Sequence, residues 1–281
     1  MTKRIYCTML LTFCMAMAGM CQDKQSDSNV MKHVRNIVEQ EEIDKAYVVV
    51  MDMHTGEIID SMSLGVNNDA WLHNKIPTRL LSVASLGIAI DKCHVTFDDS
   101  VDTGNGLYKY KDETIREHNW ARGGYGKCTL KQALIYPSVI GAVKTVEKAI
   151  TDNAEYSAAF KELTDLDVTD ADFLRYEFTP IQICNAYSRM ATAKGSSANT
   201  ILQLEKELGH LRYILKNNQD VLGYLYFYKR DAGIIVELCG SFPKENPRYT
   251  VFVQLSKEAV PHSPSVAGSV FLAIYHSLIS K

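Results

Sequence analysis

Charge of one sign is what this sequence most plainly lacks. Its 281 residues carry 30 Lys+Arg against 33 Asp+Glu, a formal net charge of −3, and its pI is about 6.2. That balance excludes a protein that holds nucleic acid on a broad basic face. No apolar run reaches the ~20 residues that a membrane-spanning helix needs, so a polytopic membrane protein is excluded as well. The sequence contains no C-x-x-C or C-x-x-H spacing, no P-loop, no dinucleotide fingerprint and no metal-ligand cluster, so it implies no cofactor. There is no internal repeat. With 46% hydrophobic and 22% charged residues, the disordered, collagenous and coiled-coil classes drop out too.

What is present begins at the N-terminus. Lys3 and Arg4 precede an apolar stretch over residues 9–20, which is followed by a polar segment over 22–29. Charged, apolar and polar in that order is the pattern of a secretory signal. Cys21, directly behind Ala18-Gly19-Met20, is the candidate lipidation site of an exported lipoprotein. Met20 is large for the residue before such a cut, and cleavage after Ala18 is the alternative. The expected division is a signal over 1–21, a linker and lead-in helix over 22–44, and one domain over 45–281. The protein is then expected in the periplasm or lipid-anchored facing the envelope, reaching a membrane only through that lipid. Four cysteines remain outside the signal: Cys93, Cys128, Cys184 and Cys239. Cys184 and Cys239 lie in apolar company and read as buried thiols. Cys93-His94 lacks the second ligand pair that a zinc site requires.

A charged amphipathic helix is expected over 30–45. Residues 46–53 form a β-branched run, His54-Thr55-Gly56-Glu57 a turn, and 58–64 a returning strand. This predicts a hairpin whose first strand is buried on both faces. A mostly buried helix is expected over 80–91, just after Pro77. Residues 96–126 turn polar and glycine-rich, a long loop carrying Tyr108, Tyr110, Trp120 and Tyr125. Helices follow over 129–136 and 140–150, separated by Pro137-Ser138, and over 179–193 with Pro180 in the first turn. A helix over 200–216, strands over 222–228, 233–242 and 249–255, and a helix over 266–279 complete the chain. The order implies an α+β fold: one antiparallel sheet built from both chain ends, flanked by helices, with a helical insertion between.

Four phrases go beyond pattern. Ala46-Tyr-Val-Val-Val-Met-Asp-Met-His-Thr-Gly-Glu-Ile-Ile59 resembles the first hairpin of the penicillin-binding-protein transpeptidase domain. Val101-Asp-Thr-Gly-Asn-Gly-Leu-Tyr-Lys-Tyr110 with Ile115-Arg-Glu-His-Asn-Trp120 is similar to the segment after its active-site helix. Tyr176-Glu-Phe-Thr-Pro-Ile-Gln-Ile183 with Ala186-Tyr187 resembles its threonine-proline-leucine-glutamine helix. Gly240-Ser-Phe-Pro-Lys-Glu-Asn-Pro-Arg-Tyr-Thr250 resembles the turn between its last two strands. The blocks fall in family order over residues 45–280, closest to the monofunctional type. The resemblance implies the serine β-lactamase-like fold, with a helical subdomain beside the sheet.

That family's chemistry uses three short elements. A Ser-x-x-Lys turn places a lysine amine beside the nucleophilic hydroxyl. A Ser-x-Asn loop moves the proton and holds the substrate amide. A Lys-Thr/Ser-Gly strand binds the substrate carboxylate and lines the oxyanion hole. All three positions are altered here. The first falls on Arg79-Leu80-Leu81-Ser82, with Arg79 at the nucleophile and Ser82 at the lysine. An arginine stays protonated at physiological pH and cannot attack a carbonyl, and a hydroxyl cannot replace the lysine as unaided base. The second reads Pro137-Ser138-Val139, so Pro137 replaces the serine and Val139 the asparagine. The third is best placed at Lys229-Arg230-Asp231, where Asp231 replaces the glycine and would repel a substrate carboxylate. Ser241-Phe242-Pro243-Lys244, Ser197-Ala198-Asn199 and His54-Thr55-Gly56 mimic the three elements in text only. Pro243 spoils the first as a helical turn, and the last is the hairpin turn.

The loop aromatics could line a glycan groove, but packing against the domain is the favoured account. His118 beside Trp120 could titrate, yet no Ser or Cys stands near it in sequence to be activated. Asp98-Asp99 and the acids over 165–172 read as solvated loop or helix-start carboxylates. The resemblance implies an exported envelope protein that has lost acyl transfer and serves as a binding or scaffold module. Its expected partners are peptidoglycan stem peptides or cell-wall synthesis proteins, and no nucleic acid. The alternative is an active D-alanyl-D-alanine transpeptidase or carboxypeptidase, penicillin-binding through Ser82 or Ser138. A third option is a sensor whose altered cleft binds a ligand reversibly.

Overall fold

The computed structural model describes residues 28–136, 138–230, 233–258 and 263–280. In chain order come α1 (Asn29–Gln40), β1 (Lys45–Asp52), β2 (Ile58–Leu64), α2 (Ala70–His73), β3 (Ile76–Pro77) and α3 (Ser82–Cys93). The middle holds β4 (Ser100–Asp102), β5 (Leu107–Tyr110), β6 (Glu113–Arg116), β7 (Lys127–Thr129), α4 (Leu130–Ile135), α5 (Val139–Ala149) and α6 (Asn153–Thr164). Then follow β8 (Glu177–Phe178), α7 (Pro180–Thr192), α8 (Ser197–Leu208) and α9 (His210–Ile214). The chain closes with β9 (Leu222–Arg230), β10 (Gly233–Phe242), β11 (Tyr249–Glu258) and α10 (Ser265–Ile279).

Strands from both chain ends make one antiparallel sheet, β2-β1-β11-β10-β9, as the element order implies. In β1 every side chain from Ala46 to Met51 is buried. Ala46, Val48 and Val50 enter one core with α1 and α10, while Tyr47, Val49 and Met51 enter the other with α3 and α7. Period-two alternation with both faces covered is why this strand reads as an unbroken apolar run. The turn after β1 is the expected one: Asp52 accepts from the His54 and Thr55 backbone N–H groups, and Gly56 sits at φ 72°. The start of α7 is equally legible, with Thr179 and Gln182 forming a reciprocal capping box around Pro180.

Four local expectations change. The helix expected over 200–216 is broken at Gly209 into α8 and α9, because the Glu205 carboxylate fills the space a Cβ would need there and accepts the Leu211 N–H at 3.2 Å. A helix absent from the sequence expectation, α6, is capped by Asp152, which accepts from Ala154 and Glu155 N–H. Residues 96–126 are not one loop: β4 pairs with β7 and β5 with β6. Gly124, at φ 71°, lets its backbone close onto Gly106, where any side chain would strike the neighbouring strand end. Asp172 is not a solvated acid either. It is 5% exposed, held by Lys111 Nζ at 2.6 Å and Arg175 Nε at 3.5 Å, which compensate its burial. Asp98, Asp99 and Asp165 are exposed, as expected. The four described cysteines are free, with Cys184 and Cys239 buried. No helix among the described residues is long and apolar enough to cross a membrane. The signal residues and Cys21 lie outside the described residues.

Candidate functional site

The site is built where α3 meets the sheet. Ser82, not residue 80, opens the helix, because Arg79 to Ser82 form a tight turn with Ser82 N–H donating to Arg79 O at 3.1 Å. A row of side chains crosses the sheet beneath this turn. Register places Tyr226 of β9 opposite Glu237 of β10, and Glu237 opposite Gln254 of β11. Directly opposed residues of antiparallel strands share a face. Glu237 is fully buried and accepts the Arg79 backbone N–H at 2.9 Å and the Thr78 hydroxyl at 3.4 Å on one oxygen. Its other oxygen accepts Gln254 Nε2 at 2.7 Å, and Gln254 also donates to Pro77 O at 3.0 Å. Burial pushes the Glu237 carboxyl up to about 7, although the Arg79 N–H, the Gln254 amide and the Arg79 charge pull the other way.

Arg79 itself lies over the ring of Tyr228, its guanidinium carbon 4.3 Å from the centroid. Tyr228 in turn donates to Pro77 O at 3.2 Å. Ser82 is 0% exposed, and its Oγ meets no hydrogen-bond partner. Among the described residues no lysine amine is bonded to it.

Around Ser138 the structure is capping chemistry. Its hydroxyl accepts the Gly141 N–H at 2.9 Å as the N-cap of α5 and donates to Glu117 at 2.5 Å. Glu117, 2% exposed, also accepts the Ile140 N–H at 3.0 Å. Burial raises its carboxyl pKa, against which the Ser138, Ile140 and Val139 donors act. Val139 is the first residue of α5, and its apolar side chain is buried. Pro137 lies outside the described residues.

Of the third element, Lys229 lines a pocket of about 430 Å³ shared with Arg79, Tyr228, Arg175, Asp112 and Glu177. Asp231 lies outside the described residues. Across the mouth between β9 and the Ser138 region, aromatic rings meet. His118 stands 6.1 Å from Phe227 and edge-on to Tyr125 at 5.7 Å, and Tyr125 stacks on Tyr136 at 5.1 Å. Tyr125 Oη donates to Tyr136 O at 2.8 Å, and burial pushes its phenol up to about 12. These loop aromatics pack on the domain, with Tyr110 buried among them and Trp120 still 40% exposed under Arg116.

The text-only motifs go elsewhere. Ser241 is buried and bonded to Thr250 Oγ1 at 2.8 Å, and Ser197 is bonded to Asp91 at 2.5 Å. The structure thus brings Arg79, Ser82 and Lys229 to one end of α3 and β9. Glu237, Tyr226, Gln254 and Glu117 are the site residues that sequence reasoning missed. One signal could have found the first: Glu237 is the single charged residue in an otherwise apolar strand, and a buried charge needs donors. Among the described residues no cluster of His, Cys, Asp and Glu could hold a metal ion.

No protein-family model matches this chain, and no curated protein matches it. Solved structures do. It is similar to a peptidoglycan glycosyltransferase from Burkholderia ambifaria, with a TM-score of 0.68 and 17% identity over 89% of this chain and 93% of that one. It is similar to the apo TP domain of Burkholderia pseudomallei penicillin-binding protein 3 at the same TM-score of 0.68 and identity of 17%, over 89% of this chain and 92% of that one. At that identity the likeness is one of fold. Sheet order, helical insertion and these two structures together show that the chain has the fold of penicillin-binding-protein transpeptidase domains.

Proposed function

We propose that the protein is an exported cell-envelope protein that keeps the transpeptidase fold without acyl transfer and acts as a binding or scaffold module in peptidoglycan metabolism. Its partners would be peptidoglycan stem peptides or cell-wall synthesis proteins. The observation that carries this reading is Arg79: the nucleophile position holds a permanently charged guanidinium stacked on Tyr228 at 4.3 Å. Ser82 and Ser138 support it further. Ser82 is 0% exposed with no base on its hydroxyl, and Ser138 is 3% exposed and committed as a helix cap. A nucleophile needs both access and an activating partner.

Labelled β-lactam is the test. No covalent label on the purified domain is expected, whereas label that survives boiling in detergent would sink the non-catalytic reading. The active alternative predicts release of D-alanine from stem peptide, abolished by Ser82→Ala or Ser138→Ala; no release is expected. Export, cleavage near residue 21 and a lipid on Cys21 belong to the same proposal. Cells fed labelled palmitate should mark the wild-type protein and leave Cys21→Ala unmarked.

A further inference from the structure

Between α7 and the sheet lies a line of small polar side chains that the site above does not use. Ser188 Oγ, on α7, is 2.8 Å from Thr250 Oγ1 of β11, and Thr250 Oγ1 is 2.8 Å from Ser241 Oγ of β10. Ser241 and Thr250 are direct partners in the sheet, so their side chains share the face that α7 covers. This line fixes how α7 lies on β10 and β11.

The same seating brings two thiols together. Cys184 is one helical turn before Ser188, a step of about 6 Å along α7. Cys239 is the residue before Ser241 on the same face of β10, a step of about 6.8 Å along the strand. The two steps match, and both cysteines are fully buried in the core between α7 and the sheet. Cys184 Sγ reaches Thr250 O at 3.6 Å, beside the Ser241–Thr250 pair. Burial, and after it the Cys184 thiol, push the Cys239 thiol well above its ordinary range. Tyr187, also on α7, has its phenol raised by burial and next by the nearness of Cys239.

Adjacent thiols can stay reduced, hold a metal or join. Among the described residues no cluster of His, Cys, Asp and Glu could complete a metal site around them. Cys93 and Cys128 are only half-buried and have acids for neighbours, Glu155 beside the first and Glu117 and Asp102 beside the second. Among the described residues, thiol faces thiol only at Cys184 and Cys239.

We propose that Cys184 and Cys239 are joined by a disulfide in the mature protein, made during folding by exchange with a disulfide-bearing partner, and that it ties α7 to the middle of the sheet. One cysteine's thiolate attacks the partner's disulfide and releases one partner thiol. The other cysteine's thiolate then attacks the mixed disulfide, so that the Cys184–Cys239 bond forms and the second partner thiol leaves. The two cysteines lose two protons and two electrons in all, and the partner takes up both. Exchange needs thiolates within reach of the partner, so it precedes the seating of α7 on β10. Burial then shields the bond from reductants. In cells the bond rests on the export reading, since oxidising compartments are where such bonds persist. The geometry of the pair does not.

Refolding tests it without reference to the compartment. The full chain is unfolded in urea with dithiothreitol, refolded in oxidised and reduced glutathione, blocked with N-ethylmaleimide and mapped by peptide mass. The expected result is a linked Cys184–Cys239 peptide that dithiothreitol splits, with maleimide on Cys93 and Cys128. The unfolding midpoint should lie about 5–10 °C higher than after refolding in dithiothreitol. Cys184→Ala and Cys239→Ala should each erase both the linked peptide and the redox dependence of the midpoint. Protein that does not refold is mapped instead in native form, held in oxidised glutathione at a urea concentration just below its transition. Maleimide on Cys184 and Cys239 after oxidised glutathione, or equal midpoints in the two redox buffers, would overturn the proposal. A linked peptide in refolded protein together with free thiols in acid-quenched protein from cells supports the pair and counts against export, so the two readings fail separately.

Discussion

Glu237→Gln isolates the energetic cost of the polar row under α3. The wild-type carboxyl rises from the ordinary 4.5 to about 7 through burial. At about 1.4 kcal/mol for each tenfold change in proton affinity, that rise corresponds to about 3 kcal/mol at full ionisation. The sign follows from proton binding. Between pH 4.5 and 7 the folded state holds the proton that the unfolded state has lost, so stability falls as pH rises through that window. Below pH 4.5 both states are protonated and the cost vanishes; above 7 it is complete. Glutamine keeps the shape and cannot ionise, but it presents an amide N–H₂ where one carboxylate oxygen accepted, either from Gln254 at 2.7 Å or from Arg79 at 2.9 Å. Losing one such bond costs roughly 1 kcal/mol. The variant should therefore match wild type near pH 5 and exceed it by about 2 kcal/mol near pH 8, or about 4–8 °C in Tm. Urea unfolding of both proteins across that range reads the difference, in which every other titrating group cancels. A difference that stays constant with pH would refute the assignment of a raised carboxyl to Glu237.

Ser138→Ala removes the α5 cap and one of the donors that hold buried Glu117, so urea unfolding should show a loss of about 1–3 kcal/mol, growing as pH rises and Glu117 ionises. A neutral effect would mean that the cap is idle. Gly87→Ala on α3 would put a Cβ 2.9 Å from the Ala198 backbone N and 3.0 Å from its Cβ, forcing α3 and α8 apart at about 1–3 kcal/mol by the same measurement. Tyr187→Phe deletes the 2.9 Å bond to Leu80 O just inside the turn that opens α3 and should cost about 1 kcal/mol. Arg79→Ser together with Ser82→Lys rewrites the Ser-x-x-Lys text, yet β-lactam should still leave no covalent label. Pro137 and Val139 remain where the serine and asparagine of the second element would be, so the hydroxyl that moves the proton and the amide that holds the substrate are both still absent.

How far the sequence could be read depended on whether a feature was local. The β1 hairpin and the Thr179-Pro180-Gln182 cap are written within a few consecutive residues, and both are present as expected. The flanks used to place the three family elements are strands and helix starts, which carry their own local signals. A helix with one glycine is ordinary, so Gly209 by itself signals no break; what breaks the helix is the side chain of Glu205, which claims the Leu211 N–H. The same holds at the site. Glu237 stands out in β10 as a charged residue inside a strand that shows no alternation, which announces a buried carboxylate without naming its donors. Those donors are the Arg79 N–H, 158 positions away in the chain, and Gln254 on the neighbouring strand. Strand register supplies Gln254 and the packing of the α3 turn on the sheet supplies Arg79, and one residue of slip would turn Tyr226, Glu237 and Gln254 to the other core. A sequence states which residues stand at a turn. Only the register shows that Tyr226 stands opposite Glu237, the carboxylate that accepts the Arg79 N–H.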